Sequence, residues 1–327
     1  MALWTDVIRP ADLTGFSRTI ADAYDAQGTL AAILPNQQVD DVVFSWKVNA
    51  RSQDVAQYRA FDAETPIGTS AGVEELTAKL APVGLKKLLS EYDQLRRRGT
   101  NSPETVQAAA DRLAGEVAKA TVDRVERLRG EALVNGSLTI AENGVRQTVD
   151  FGRRADFTKT AGTLWSAAGA DPIADLEAWR AEYVAENGEE PTDVIVSGRV
   201  FAALTKSDAV RGYFGTSAPT VLTRDAVNSI ITSYGLPALS VYDRQVAGQR
   251  VIADNRVVVA SRNAGATVWG TTVEADDPRY GLAGGDLPGL VVGAYKEDDP
   301  NVVWIRANAI TLPVLANSNL TIAATVL

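Results

Sequence analysis

The sequence predicts an α+β chain, and three observations predict it. An amphipathic stripe runs from about 102 to 134, longer than the roughly three or four turns of an ordinary globular helix. Just beyond it the apolar period drops from helical steps of three and four to the alternation of a β-hairpin. From Asp171 to about Ser240 helical and strand patterns then take turns, and the tail from Leu290 is rich in strands. At 327 residues, 46% of them hydrophobic, the chain can support two core-bearing units.

Residues 1–36 mix short apolar pieces with turn formers and close on Leu34, Pro35 and Asn36. Thr14 to Ala26 can form a short helix, but no periodic face is long enough to fold alone. The segment therefore reads as an extended arm that needs a partner surface. Asp6 and Arg9 stand where a secretory leader would need an apolar core.

Residues 37–89 read as a hairpin-like loop. Val42, Phe44, Trp46 and Val48 alternate with Val43, Ser45 and Lys47, the period-2 pattern of a strand with one covered face. A polar stretch containing Arg51 follows, then Tyr58, Arg59 and Phe61, and Val73 to Leu80 and Val83 to Leu89 complete the excursion. Lys47, Arg51 and Arg59 precede Asp62, Glu64, Glu74 and Glu75. The pattern fits a solvated hairpin as well as a loop whose basic and acidic ends pair with neighbouring subunits.

Residues 90–160 hold the clearest elements. Ser102 suits a helix N-cap and Pro103 the first turn. Val106, Ala110, Leu113, Val117, Thr121, Val125 and Leu128 form one stripe, while Arg112 with Glu116, Glu116 with Lys119 and Asp123 with Arg127 pair on the other face. Asn135-Gly136 ends a helix about 48 Å long at roughly 1.5 Å per residue. Leu138 to Ile140 and Val145 to Phe151 flank Asn143-Gly144, a strong hairpin signal.

Residues 161–287 read as an α+β unit, with helices over Pro172 to Glu186, Gly198 to Thr205 and Arg224 to Tyr234. Its strands are Val194 to Ser197, Leu239 to Tyr242 and Arg250 to Ala260. Residues 288–315 form a hairpin turning at Lys296 to Pro300, and 316–327 end in a strand.

The chain contains neither histidine nor cysteine, so triads, imidazole bases, thiolate chemistry and His-ligated metals are excluded. Net charge is −9, which argues against a general nucleic-acid coat and suits a container whose wall does not grip its contents. No apolar run reaches the roughly 18 residues of a membrane span. Asp171 with Asp175, Asp276 with Asp277 and Asp298 with Asp299 could offer oxygens to Mg²⁺ or Ca²⁺, but none has a ligand spacing. Asp171-Pro172 reads instead as a helix start. Gly281 to Gly289 lacks a phosphate-loop ending and reads as a turn. Leu95 to Gly99, with Arg96, Arg97 and Arg98, is the one compact basic run. No catalytic, cofactor or metal residue is assigned.

Val122 to Gly136 runs into Leu138 to Gly144 and on to Val149-Asp-Phe-Gly-Arg153. This order resembles the lambda-type major capsid proteins, the phage capsid protein E family, whose members are similar in an "ER-R-EAL--G" helix end, an "NG" hairpin and "VDFGR". Trp165, Asp171 to Leu176, Pro191 to Ser197, Gly293 to Tyr295 and Val303-Trp304 fall in register with it. The resemblance covers roughly residues 30–327.

What it implies is the HK97-like capsid fold of tailed bacteriophages. The parts would be an N-terminal arm (1–36), an E-loop (37–89), a P-domain (90–160) with a spine helix at about 102–134 and its hairpin, an A-domain (161–287), a P-domain return hairpin (288–315) and a C-terminal strand (316–327) rejoining the A-domain. The implied function is that of a major capsid protein, self-assembling into hexamers and pentamers of an icosahedral shell around packaged DNA. An encapsulin-like compartment is the alternative. The implied setting is a virion capsid assembled in the host cytoplasm. Its partners would be further copies of the chain, a scaffolding protein, a portal, a decoration protein and double-stranded DNA held by weak non-specific contact, with no membrane. Expected contact residues are Lys47, Arg51 and Arg59 in the loop and Arg96, Arg97 and Arg98 beside the spine. Some family members crosslink a loop lysine to a distant asparagine; Lys47 lies in that region, without a motif that supports the reaction.

Overall fold

The computed structural model describes residues 2–5, 8–49, 73–96, 103–215 and 222–327. Two sheets are joined by one long helix. The first sheet has six strands built around the long strand Asn301–Val314. One side of that strand carries Ala81–Leu89, and the other carries Val291–Asp298 followed by Ala266–Gly270. Ala2–Leu3 and Asn36–Gln38 complete it at its ends. The second sheet has five strands, in the order Leu239–Val241, Asp193–Val196, Arg256–Ala260, Thr321–Thr325, Thr158–Thr160. Helices Pro172–Asn187, Gly198–Lys206 and Arg224–Ser233 belong with it, and bury Leu176, Trp179, Val200, Leu204, Val227 and Ile231 in its core.

The long helix spans Pro103–Asn135, 33 residues. Its apolar stripe is the one the spacing predicts, and it serves two cores in succession. Ala110, Leu113, Val117, Val122 and Val125 pack with the six-stranded sheet. Leu128, Ala132 and Leu133 pass into the core of the five-stranded sheet. The helix stops at Gly136, whose backbone is left-handed at φ +67, and the next turn of chain satisfies its last carbonyls. Arg153 donates from Nη1 to the Leu133 carbonyl at 2.7 Å and from Nη2 to the Val134 carbonyl at 2.6 Å, while Phe151 N–H reaches Gly136 O at 3.1 Å. Burial, with Arg256 nearby, lowers the Arg153 guanidinium to about 10, so it still carries charge at neutral pH against that helix end. Strands Ser137–Glu142 and Val145–Asp150 form the predicted hairpin, with Asn143 (φ 46) and Gly144 (φ 86) supplying its two positive-φ residues.

Four expectations need correction. The segment 1–36, described over 2–5 and 8–36, is not an extended arm. Pro10–Asp25 and Thr29–Ile33 are helices, Asn36–Gln38 pairs in parallel with Ala266–Gly270, and Leu30, Ile33 and Leu34 are fully buried. The sequence hides this because the covered face of the first helix includes Thr14 and Ser17. Their hydroxyls are bonded to the carbonyls of Val292 (2.9 Å) and Leu13 (2.7 Å), so polar letters occupy core positions. Ala81–Leu89 belongs to the six-stranded sheet and not to the loop excursion, which ends near Leu80. Thr158–Thr160 already belongs to the five-stranded sheet and Ala266–Gly270 to the six-stranded one, so the α+β unit runs from about 155 to about 264. Finally, Arg250 to Ala260 is not one strand: Gln249–Arg250 closes a small hairpin with Gln245–Val246, and Arg256–Ala260 starts afresh. Strand Thr321–Thr325 does rejoin the five-stranded sheet, between Arg256–Ala260 and Thr158–Thr160.

Candidate intersubunit surfaces

Strands Val43–Asn49 and Val73–Lys79 pair antiparallel, from Val43 opposite Lys79 to Asn49 opposite Val73. Alternation divides the pair into two faces. Trp46 and Ala78 are buried at the root, where the Trp46 ring stacks on Phe44 at 6.1 Å and tilts against Phe151 at 6.1 Å. Gln147 Nε2 donates to Lys79 O at 2.6 Å, and Leu80 N–H to Val42 O at 2.9 Å, which pins the root to the rest of the chain. The other face turns outward: Val43 is 44% exposed, and Ser45, Lys47, Glu75 and Thr77 are exposed with it.

Lys47 thus sits on an outward face, in register with Glu75. Arg96 is the last residue of helix Glu91–Arg96. Arg51, Arg59, Arg97 and Arg98 lie outside the described residues. Of the six expected contact residues, the side chain of Lys47 alone is described.

A second candidate surface lies where strand Ala81–Leu89, paired on one side only among the described residues, runs beside the long helix. A groove of about 280 Å³ there is walled by Val83, Leu85, Val125, Leu128, Ile140 and Val145. Leu85 and Leu88 are each 41% exposed, so a single-edged strand and apolar side chains face solvent together. Lys87 and Arg112 both engage Glu116, at 2.6 and 2.7 Å, and the Lys87 hydrogen bond holds that carboxyl below the usual range.

A buried polar cluster lies between the two cores. Arg129 is fully buried, and every arm of its guanidinium is met. Nε donates to Thr267 Oγ1 at 2.8 Å, Nη1 to Asp25 (2.5 Å) and Glu126 (3.1 Å), and Nη2 to Asp25 (3.1 Å) and Asn36 (2.7 Å). Glu126 in turn accepts from the Tyr242 hydroxyl at 2.6 Å, and burial, reinforced by the Glu126 carboxylate, drives that phenol far above its ordinary pKa. Arg244 donates to Asp123 at 2.9 Å and lies 4.6 Å from the Tyr24 ring centre. One cluster therefore ties the first helix, the long helix, the six-stranded sheet and the α+β unit. Beside it Gly130 admits the chain of Val251, whose carbonyl oxygen would stand 2.7 Å from any Cβ placed there. Sequence reading passed over Arg129 and Glu126. The available signal was their spacing: Glu126, Arg129 and Leu133 continue the helical stripe of Val122 with charge at apolar positions.

The acidic pairs have local roles. Asp171 caps helix Pro172–Asn187 by accepting from the N–H groups of Ile173 and Ala174, and Asp175 accepts from Trp165 Nε1 at 2.8 Å. Asp277 is held down to about 2, first by its hydrogen bonds with Arg279. Asp298 is exposed, 3.9 Å from Lys296. Among the described residues no three carboxylates gather as a metal site, and no helix is long and apolar enough to cross a membrane.

The family model described as phage major capsid protein E matches residues 17–326. No curated protein sequence matches the chain. Among solved structures, the chain is similar to the putative capsid protein of an Escherichia coli CFT073 prophage (TM-score 0.62, 16% identity, 94% of this chain and 97% of that one). It is also similar to the capsid of Myoviridae phage XM1 (TM-score 0.52, 11% identity, 91% and 90%) and to a virus-like particle from Pyrococcus furiosus (TM-score 0.51, 12% identity, 96% and 97%). At these identities the likeness establishes the fold, which is HK97-like.

Proposed function

The chain belongs to the phage major capsid protein E family, and on that premise we propose that its copies assemble as hexamers and pentamers into an icosahedral shell around packaged DNA. The observation that carries the reading is the extent of the family match, 17–326, which takes in both cores and the joint between them instead of one motif. An outward hairpin face together with a strand that is paired on one side only among the described residues suits heterologous contacts, which close into rings when each step adds a fixed rotation. The net charge of −9 suits a wall that leaves nucleic acid mobile.

In this reading the subunit assembles in the host cytoplasm with a scaffolding protein, a portal and a decoration protein, and touches double-stranded DNA weakly and without sequence preference. The parts named E-loop, P-domain and A-domain would be about 39–80, the six-stranded unit with its long helix and the N-terminal helices packed on it, and the five-stranded unit. Lys47, Arg51, Arg59 and Arg96 to Arg98 remain the proposed contact residues. A compartment for protein cargo is less favoured, because the family model that matches 17–326 is that of a phage major capsid protein.

Electron microscopy of expressed protein tests the proposal. Closed particles with fivefold vertices, protecting DNA from nuclease in the presence of the packaging machinery, are the expected result. Protein that stays monomeric under every assembly condition overturns it, and particles filled with a defined protein cargo turn it to the compartment reading.

A further inference from the structure

A cavity of about 380 Å³ lies in the α+β unit, and none of its lining residues belongs to either candidate surface. It opens between the loop Ser166–Ala170 and helix Gly198–Lys206, with Ser207 and Asp208 at one end. Its volume falls in the range that holds a small ligand.

Arg199 and Lys206 line it, seven residues apart on one helix and therefore on one face, about 10 Å apart along the axis at 1.5 Å per residue. Ala202 and Ala203 lie between them, so the wall separating the two cations is low. Neither cation has an ion-pair or hydrogen-bond partner among the described residues. The facing loop is Ser-Ala-Ala-Gly-Ala. Gly169 has φ +78 and open space where a Cβ would stand, so this wall too is small. The N–H groups of Ser166, Ala168 and Gly169 have no acceptor among the described residues, so residues lining the cavity hold spare main-chain donors. Trp165 is the buried floor, stacked on Trp179 at 6.0 Å.

We propose that this cavity binds a nucleoside phosphate, its phosphate held by Arg199, Lys206 and the loop N–H groups. A guanidinium and an ammonium, with spare N–H donors in the same cavity lining, match phosphate oxygens. Asp208, in the same wall, disfavours a bare anion and accepts from a sugar hydroxyl, so the ligand carries both groups. The phosphate can come from a free nucleotide or from the 5′ end of a nucleic acid strand, which share this chemistry. The inference stands apart from shell assembly: either can fail while the other holds.

Titration of the full-length protein with dAMP, followed by tryptophan fluorescence and by calorimetry, tests it. Saturable binding is expected, weakened at least about tenfold in Arg199→Gln/Lys206→Gln, in line with the loss of charge-assisted hydrogen bonds. Asp208→Asn should narrow the preference for dAMP over inorganic phosphate. Thermal melts of both variants should match the parent, since all three side chains are exposed. A 5′-phosphorylated oligonucleotide that competes with dAMP identifies the strand end as the source, and one that does not compete identifies the free nucleotide. Absence of saturable dAMP binding, or binding indifferent to the Arg199/Lys206 pair, overturns the proposal.

Discussion

The first 36 residues and the hairpin Val43–Asn49/Val73–Lys79 look alike in sequence, both being short apolar runs broken by turn formers. In the fold they part company. The first segment sends Ile8, Leu13, Leu30, Ile33 and Leu34 into the chain's own cores, and Asp25 is gripped on both oxygens by Arg129. The hairpin buries Trp46 and Ala78 at its root and leaves Val43, Ser45 and Lys47 facing outward. Apolar content does not separate the two. What separates them is whether the subunit itself supplies partners for the polar groups that must be buried alongside, as it does for Thr14, Ser17 and Asp25.

The strongest way to break that contrast is Arg129→Met. It leaves Asp25 inside without its cation and Glu126 with Arg244 alone at 3.9 Å, and a loss of about 3–5 kcal/mol is expected for one broken buried pair. Urea denaturation measures it; a loss under about 1 kcal/mol would mean the cluster is solvated and does not fasten the N-terminal segment. Leu30→Ala comes next, at about 2–5 kcal/mol, because a fully buried leucine leaves a cavity its neighbours only partly fill. Were residues 8–36 an extended arm in the free subunit, that substitution would leave the subunit's stability unchanged.

Smaller, and dependent on pH, is the effect of Asp22. Burial, and secondly the charge of Asp25, raises its carboxyl above 3.8, against the pull of Arg18. A raised folded value means the folded chain binds the proton more tightly than the unfolded one. The contribution is complete below 3.8 and is lost as pH rises through the folded value. Asp22→Asn should therefore stabilise the chain near neutrality by less than about 1 kcal/mol, the side chain being partly screened. The gain should vanish as pH falls toward 3.8. Melting curves across pH 3–7 read the difference, and a gain that persists at the acid end would remove Asp22 as its cause.

The same contrast explains how far the sequence could be read. The long helix and the Asn143-Gly144 hairpin were legible because local periodicity and turn chemistry specify them without reference to distant residues. The family signature around them was legible as a string while its physics was not. Arg153 caps the helix end, Glu131 accepts from Thr139 N–H at 3.0 Å, and Glu126 and Arg129 fill the buried cluster. Each role depends on residues brought together by the fold. Ala81–Leu89 was misassigned for the complementary reason, since its partner strand begins more than 200 residues later and nothing local distinguishes a loop strand from a sheet strand. Arg199 and Lys206 share a helix face by spacing alone, but the small-residue loop that makes the face concave lies some 30 residues upstream.

The smallest effect on the subunit should come from the hairpin's outward face. Val43→Ser with Lys47→Gln removes an exposed apolar group and a charge while sparing the Trp46–Phe151 contact that anchors the root. Surface changes of this kind shift stability by no more than about 0.5 kcal/mol, so the melting midpoint should hold. If the face is covered by a neighbouring copy, particle yield at fixed protein concentration should fall sharply all the same, because every subunit in a closed shell repeats the defect. A melting midpoint that drops with the double substitution would place this face in the subunit's own core and dissolve the contrast with the N-terminal segment. Unchanged particle yield would move the interface elsewhere, and the single-edged strand Ala81–Leu89 would become the next surface to substitute.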